Sequence, residues 1–197
     1  MTPAAIVLTS LAVVALAEIG DRTMLLAILL SLRFRRPLPV ILGILVATIA
    51  NHLVAAWAGA SIAGLLDGFW FRLAVAIGFL AMAAWTLIPD KMDDPDKAEP
   101  ARRGAFVTTL VAFFLVEIGD KTQIATIALG ARYEAVPHAI ELVATGTTLG
   151  MMIVNAPAVL FGERITRIVP LAWVRVGAAL VLAGLGVAGL VALFGGR

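Results

Sequence analysis

The strings Glu18-Ile19-Gly20-Asp21-Arg22-Thr23 and Glu117-Ile118-Gly119-Asp120-Lys121-Thr122 decide how this chain of 197 residues is read. Each lies inside a long apolar stretch, and the two differ only in the basic residue. An acid in hydrocarbon costs roughly 2.5–3.5 kcal/mol on insertion scales. A chain that carries two acids at each of two matching depths is expected to use them. The obvious use is to hold and move a cation.

The surroundings of the two strings set the class. The chain is 61% hydrophobic and 14% charged, with a net charge of +2 and a mean hydropathy of +1.02. Soluble domains carry about 25% charged residues, so this composition indicates an integral membrane protein. A window of about 20 residues picks out six apolar segments, at 3–32, 38–66, 69–88, 104–131, 136–161 and 171–194. These runs are too long for barrel strands and lack period-two alternation. Ala15-Leu16-Ala17 has the form of a signal-peptidase site. Nothing basic precedes it except the amino terminus, and a similar segment recurs mid-chain, so the first segment is expected to remain as a helix. The absence of cysteine excludes disulfides, thiolate metal sites and cysteine catalysis. No basic stripe with interleaved aromatics points to nucleic acid.

The duplication extends beyond the two strings. Glu18 and Glu117 stand 99 residues apart. Later landmarks match at an offset of 103: Gly43 with Gly146, Gly59 with Gly162, and Trp70-Phe71-Arg72 with Trp173-Val174-Arg175. An indel of four residues between the first two helices of a repeat accounts for the change. The expected organisation is a first three-helix repeat at 1–89, a charged cytoplasmic linker at 90–103 and a second three-helix repeat at 104–197. Three helices per half is an odd number, so the second half enters the membrane from the opposite side. The expected fold is therefore all-α: six transmembrane helices arranged as two inverted repeats, with the site near the midplane between them. Lys and Arg counts orient it. Ten lie on one side (Arg33, Arg35, Arg36, Lys91, Lys97, Arg102, Arg103, Arg164, Arg167 and Arg175) and three on the other (Arg72, Arg132 and Arg197). Both termini are thus expected outside and the linker in the cytoplasm.

Glu18 lies about 22 Å into its segment at 1.5 Å per helical residue, near the bilayer middle once tilt is allowed. On a continuous helix, residues i and i+3 share a face. Glu18 would then point with Asp21, and Glu117 with Asp120, giving four carboxylates around one cavity. Gly20 and Gly119 fit either a helix break that turns carbonyls toward an ion or a close helix contact. Thr23, Thr122 and Gln123 add oxygen atoms nearby, although such threonines also bond back to helix carbonyls. Arg22 and Lys121 are charge-compensating candidates, pairing with an acid or snorkelling away. A purely structural ion-pair lock does not explain four acids against two bases. Two formal negative charges remain, matching one divalent cation or two protons, while buried acids also simply stay protonated. All-oxygen ligation suits Mg²⁺, Ca²⁺ or Mn²⁺, and zero cysteines with two histidines argue against zinc or copper. Asn51, His52 and Asn155 are further candidates for the ion path, with His52 opposite Asn155 at the offset of 103. An interhelical hydrogen bond is an equal reading for His52. Met24, Met151 and Met152 read as packing.

The doubled E-x-G-D-(K/R)-(T/S) signature, one copy per half, resembles that of the GDT-type cation transporters, also known as uncharacterised protein family 0016. The resemblance spans essentially the whole chain. It implies transport of Mn²⁺ or Ca²⁺, usually against protons, with bacterial relatives mostly exporting manganese. By motif position it implies ion-site residues Glu18, Asp21, Glu117 and Asp120, with Thr23 and Thr122 as neighbours. The metal would be a transported substrate rather than a cofactor, and the partners would be divalent cations, protons and the lipid bilayer. The short stretch before the first segment fits a multi-pass protein of a bacterial inner membrane. Two other classes compete with this reading. A metal-dependent hydrolase of a lipid diphosphate needs phosphate clamps and a nucleophile or base, and beyond Arg22 and Lys121 no such constellation appears at the midplane. A divalent cation channel would use the acids as a selectivity filter.

Overall fold

The computed structural model describes residues 2–65, 69–88, 104–168 and 171–195. The expected linker at 90–103 lies outside these residues, as do the side chains of Arg72, Arg164, Arg167 and Arg175 that enter the orientation count. The described residues form eight helices and no strand. They are α1 (Pro3–Glu18), α2 (Arg22–Phe34), α3 (Pro37–Leu65), α4 (Phe69–Thr86), α5 (Ala105–Glu117), α6 (Lys121–Arg132), α7 (Ala139–Ile168) and α8 (Leu171–Phe194). The fold is all-α, as expected.

The first and fourth apolar segments each contain two helices rather than one. The break falls inside each motif and has the same backbone form both times. Ile19 and Ile118 leave the helix in extended conformation. Gly20 and Gly119 follow with φ of +78° and +76°. Asp21 and Asp120 are extended again and stand at the N-caps of α2 and α6. The left-handed region costs an L-residue roughly 1–2 kcal/mol, and glycine is free of that cost. A Cβ added at Gly119 would meet nothing within 4 Å, so backbone conformation, not close packing, requires glycine there. The axes of α1 and α2 diverge by 72°. The expectation that each Glu and Asp share one face of a continuous helix is therefore corrected. Each glutamate ends one helix and each aspartate begins the next.

Helix α3 packs on α5, α6 and α7, while α7 packs on α1 and α2, and α4 packs on α8. The two long helices thus each embrace the broken pair of the other half. Glycine contacts repeat this exchange residue for residue. Gly43 lies against Phe106 and Thr109 of α5, and Gly146 lies against Val7 and Ser10 of α1. Gly59 abuts Ile127 of α6, and Gly162 abuts Ile28 of α2. Both partners in each comparison follow the offsets seen in the sequence. Met151 lies in an apolar cluster with Phe79 and Leu182, and Met24 in one with Ile28 and Ala158, which is the packing role expected of them.

Among the described residues, α3 over Pro37–Ala63 and α7 over Ala139–Gly162 are each long and apolar enough to cross a membrane, and α1 with α2 forms a third, bent candidate. Shorter apolar stretches are Leu73–Trp85, Ala105–Glu117 and Ala179–Phe194. Large apolar side chains face outward along these helices, among them Val54, Trp57, Trp70, Ile153 and Leu180. A surface this apolar suits lipid rather than water.

The packing separates two kinds of glycine. A Cβ at Gly59 would overlap the Ile127 carbonyl, whereas one at Gly78 would meet nothing within 4 Å. Gly59→Ala is expected to destabilise by about 1–3 kcal/mol through overpacking. Gly78→Ala is expected to be neutral or to stabilise by up to about 1 kcal/mol through helix propensity. Thermal unfolding of the two variants in detergent checks the opposite signs.

Candidate functional site

The two breaks bring all four motif acids into the interior. Glu18 and Glu117 are 0% exposed, and Asp21 and Asp120 are 1% exposed. Each acid is compensated, and the two types are compensated differently.

The aspartates take the cations. Each is an N-cap residue, yet neither side chain makes a hydrogen bond capping its own helix. Lys121 Nζ instead donates to Asp21 Oδ1 at 2.7 Å, and Arg22 Nη2 pairs with Asp120 Oδ1 at 3.0 Å. The basic residue of each motif therefore neutralises the aspartate of the other. Arg22 also donates to the Val116 carbonyl at 3.1 Å, in the last turn of α5, where a helix end favours positive charge. The sequence suggests compensation by Arg22 and Lys121. It does not say that the pairing is reciprocal across the halves.

The glutamates take neutral donors. Glu18 Oε1 accepts from Thr23 Oγ1 at 2.6 Å and from Asn155 Nδ2 at 2.8 Å. Glu117 Oε1 accepts from Thr48 Oγ1 at 3.1 Å, and its Oε2 accepts from Asn51 Nδ2 at 2.9 Å. Asn51 and Asn155 come from α3 and α7, the long helices of the opposite halves. Thr48 is a site residue that sequence reading missed. Its signal was present, since it lies three residues before Asn51 and so shares its helix face.

Other candidates fall differently. The imidazole of His52 is buried, and neither ring nitrogen has a hydrogen-bond partner, so the interhelical hydrogen bond, one of the two readings of this residue, is not formed. Asn51, one residue earlier, does for Glu117 what Asn155 does for Glu18. Thr122 donates to Asp120 Oδ2 at 3.3 Å, so both motif threonines serve carboxylates rather than helix carbonyls. Thr126 and Thr147 do bond back to their helices. Gln123 Oε1 accepts the Gly119 N–H at 2.7 Å and so closes the second break.

Glu18 is within electrostatic reach of Asp21 and Asp120, and Glu117 of Asp120. Among the described residues, however, no three His, Asp or Glu side chains stand close enough to share one metal ion. The four acids form two glutamate poles and two cross-paired aspartates rather than one cage. The two motifs also differ in access. The Arg22 side chain is 39% exposed and that of Lys121 is 4% exposed. Gly119 is exposed where Gly20 is buried.

Buried carboxylates thus stand at paired helix breaks, in a bundle with an apolar exterior. The profile of the family described as divalent cation/proton antiporter GDT1 matches residues 6–94 and 105–196. The chain belongs to this family. A relative from Vibrio cholerae serotype O1 (strain ATCC 39541 / Classical Ogawa 395 / O395), named "Putative manganese exporter", is 48% identical over 166 residues, 84% of this chain and 80% of the relative. No solved structure matches the chain. This family member is a membrane cation antiporter and not an enzyme.

The reciprocal pairs differ in burial, and their energetics should differ accordingly. Removing one partner of a buried pair costs about 3–5 kcal/mol and an exposed pair contributes about 0–1 kcal/mol, so the Arg22–Asp120 pair, with a buried acid and a partly exposed base, falls between the two. Lys121→Met is expected to destabilise strongly, and adding Asp21→Asn to restore much of the loss. The same cycle on Arg22 and Asp120 is expected to give a smaller coupling. Denaturation of the single and double variants in detergent measures both.

Proposed function

We propose that the protein is a secondary transporter that exports a divalent cation from a bacterial cytoplasm in exchange for protons. The cation is Mn²⁺ first and Ca²⁺ second. The observation that carries the reading is the division of the four acids. Two aspartates are neutralised by Lys121 and Arg22, and two fully buried glutamates are held by neutral donors alone. Two glutamates match one divalent cation or two protons. Their donor surroundings are oxygen and amide groups, which suit Mn²⁺, Ca²⁺ and Mg²⁺. The name of the Vibrio relative favours manganese among these.

In this reading α1–α2, α3 and α4 form one repeat of three spans, and α5–α6, α7 and α8 form the inverted second. The exchanged glycine contacts and the reciprocal ion pairs support it, because both follow from a pseudo-twofold relation between halves. Glu18, Asp21, Glu117 and Asp120 are the cation-handling residues, at mid-membrane depth. Metal and protons compete for these carboxylates. Protonation neutralises the empty site and lets the halves rock, and metal binds when the acids are ionised. Lys121 and Arg22 stand in for the cation at the aspartates and must withdraw when those groups engage it. The linker lies in the cytoplasm and both termini outside, in the inner membrane. A lipid-diphosphate hydrolase is disfavoured, because the two cations available to clamp phosphate are already held by Asp21 and Asp120.

Glu18→Gln and Asp120→Asn are expected to abolish manganese export while folded protein remains in the membrane. Cells carrying either variant and still protected from manganese would show that the site is misassigned. In proteoliposomes, an acidic lumen is expected to accelerate Mn²⁺ uptake, and a proton-exchanging ionophore to remove the acceleration. Uptake indifferent to the gradient would exclude proton exchange, and conductance far faster than a rocking cycle would point to a channel.

A further inference from the structure

The two glutamate poles are not equivalent. Both oxygens of Glu117 accept a hydrogen bond. At Glu18 only Oε1 accepts, and Oε2 is buried without a partner. Beside it, Asn155 uses Nδ2 to donate both to Glu18 Oε1 at 2.8 Å and to the Met151 carbonyl at 3.1 Å. Both of those groups are acceptors, so the orientation of the amide is fixed. Its Oδ1 is consequently also buried without a partner. Two side chains joined by a hydrogen bond thus each present a buried oxygen without a partner, Asn155 Oδ1 an acceptor always and Glu18 Oε2 an acceptor whenever the carboxyl is ionised. Leaving such an atom unmatched costs about 1–3 kcal/mol, and native proteins place a water or an ion against such atoms.

We propose that Asn155 is a direct ligand of the transported cation, through Oδ1, and that the cation first lodges at the Glu18 pole. The inference rests on the carboxylate transport reading above and deepens it. An amide oxygen adds a hard ligand without adding charge, so the match of two glutamates to one divalent ion is kept. Glu117, with both oxygens engaged, is the closed counterpart. Repeat symmetry gives separate support. Among the described residues of α3 and α7, the side chains with unpartnered buried polar atoms are His52 and Asn155. These two positions correspond at the offset of 103. The repeat therefore keeps an unengaged polar group at one equivalent place on each long helix.

The test uses the purified full chain and Mn²⁺ alone. Binding is read from the loss of the free-ion paramagnetic resonance signal, and uptake kinetics are read in proteoliposomes. Asn155→Leu is expected to weaken Mn²⁺ binding by roughly tenfold or more and to raise KM far more than it lowers kcat. Asn155→Ala replaces it, with the same expectation, if leucine disturbs folding. Asn155→Asp keeps an oxygen ligand but loses the donor to Glu18, so it separates the roles. A ligand predicts binding as tight as wild type or tighter. A residue that only orients Glu18 predicts binding as weak as in the leucine variant, which would overturn the proposal. Wild-type affinity in Asn155→Leu would overturn it as well. Glu18→Gln is run beside them. Full affinity there would remove the carboxylate reading itself, whereas loss in Glu18→Gln with no loss in Asn155→Leu removes Asn155 alone.

Discussion

The constraint on which this structure depends is that an acid shut away from water must meet a counter-charge or a hydrogen-bond donor. Ion attraction in a medium of low dielectric is strong, but desolvation is costly. Four acids at 0–1% exposure therefore dictate what surrounds them. No half supplies enough compensation by itself. Asp21 needs Lys121, Asp120 needs Arg22, Glu18 needs Asn155, and Glu117 needs Thr48 and Asn51. Every one of those partners lies in the opposite half. The electrostatic requirement and the association of the halves are therefore one problem with one solution.

Breaking a helix in an apolar medium exposes backbone groups that lipid cannot satisfy. The two motifs and their immediate neighbours answer this. The Asp21 N–H donates to the Glu18 carbonyl and the Asp120 N–H to the Glu117 carbonyl, both at 3.0 Å. Gln123 receives the Gly119 N–H, and Arg22 reaches the Val116 carbonyl. The glycine supplies the left-handed turn, and the following aspartate starts the next helix without spending its side chain on a cap. That leaves the carboxylate free to reach across the interface. A continuous helix would satisfy its own backbone more simply, but its Asp side chain would follow the same face as the Glu.

The apolar segments were legible because membrane helices are written in composition. The motif was legible because buried acids are rare. The family, too, followed from the doubled motif. The helix break was not, since a glycine between two acids fits a packed helix as well as a left-handed turn. The choice at Gly119 needed the empty space beside it to be seen. Nor was the crossing of Arg22 and Lys121 legible, because spacing along one helix carries no information about the facing helix. The shift from His52 to Asn51 has a similar cause. Adjacent residues on a helix are about 100° apart, so which of the two reaches the glutamate depends on how α3 is turned about its axis relative to α7. Repeat alignment fixes the register of the chain, not the rotation of a helix.

That loss of strict equivalence has mechanical meaning for an antiporter. Two identical halves related by a perfect twofold in the membrane plane would be open equally to both sides, or closed to both. Here Lys121 is enclosed while Arg22 is partly exposed, and the second break is exposed while the first is buried. Glu117 is fully bonded, while Glu18 retains an unengaged oxygen. Some of these differences go with the residues, since Lys121 replaces Arg22 and the counterparts of Thr48 and Asn51 at the offset of 103 are Met151 and Val154. In the inverted-repeat reading, exchanging the conformations of the two halves exchanges the accessible side. The reciprocal ion pairs suit that exchange, because each half holds the other by the same kind of contact, a basic residue of one motif on the aspartate of the other.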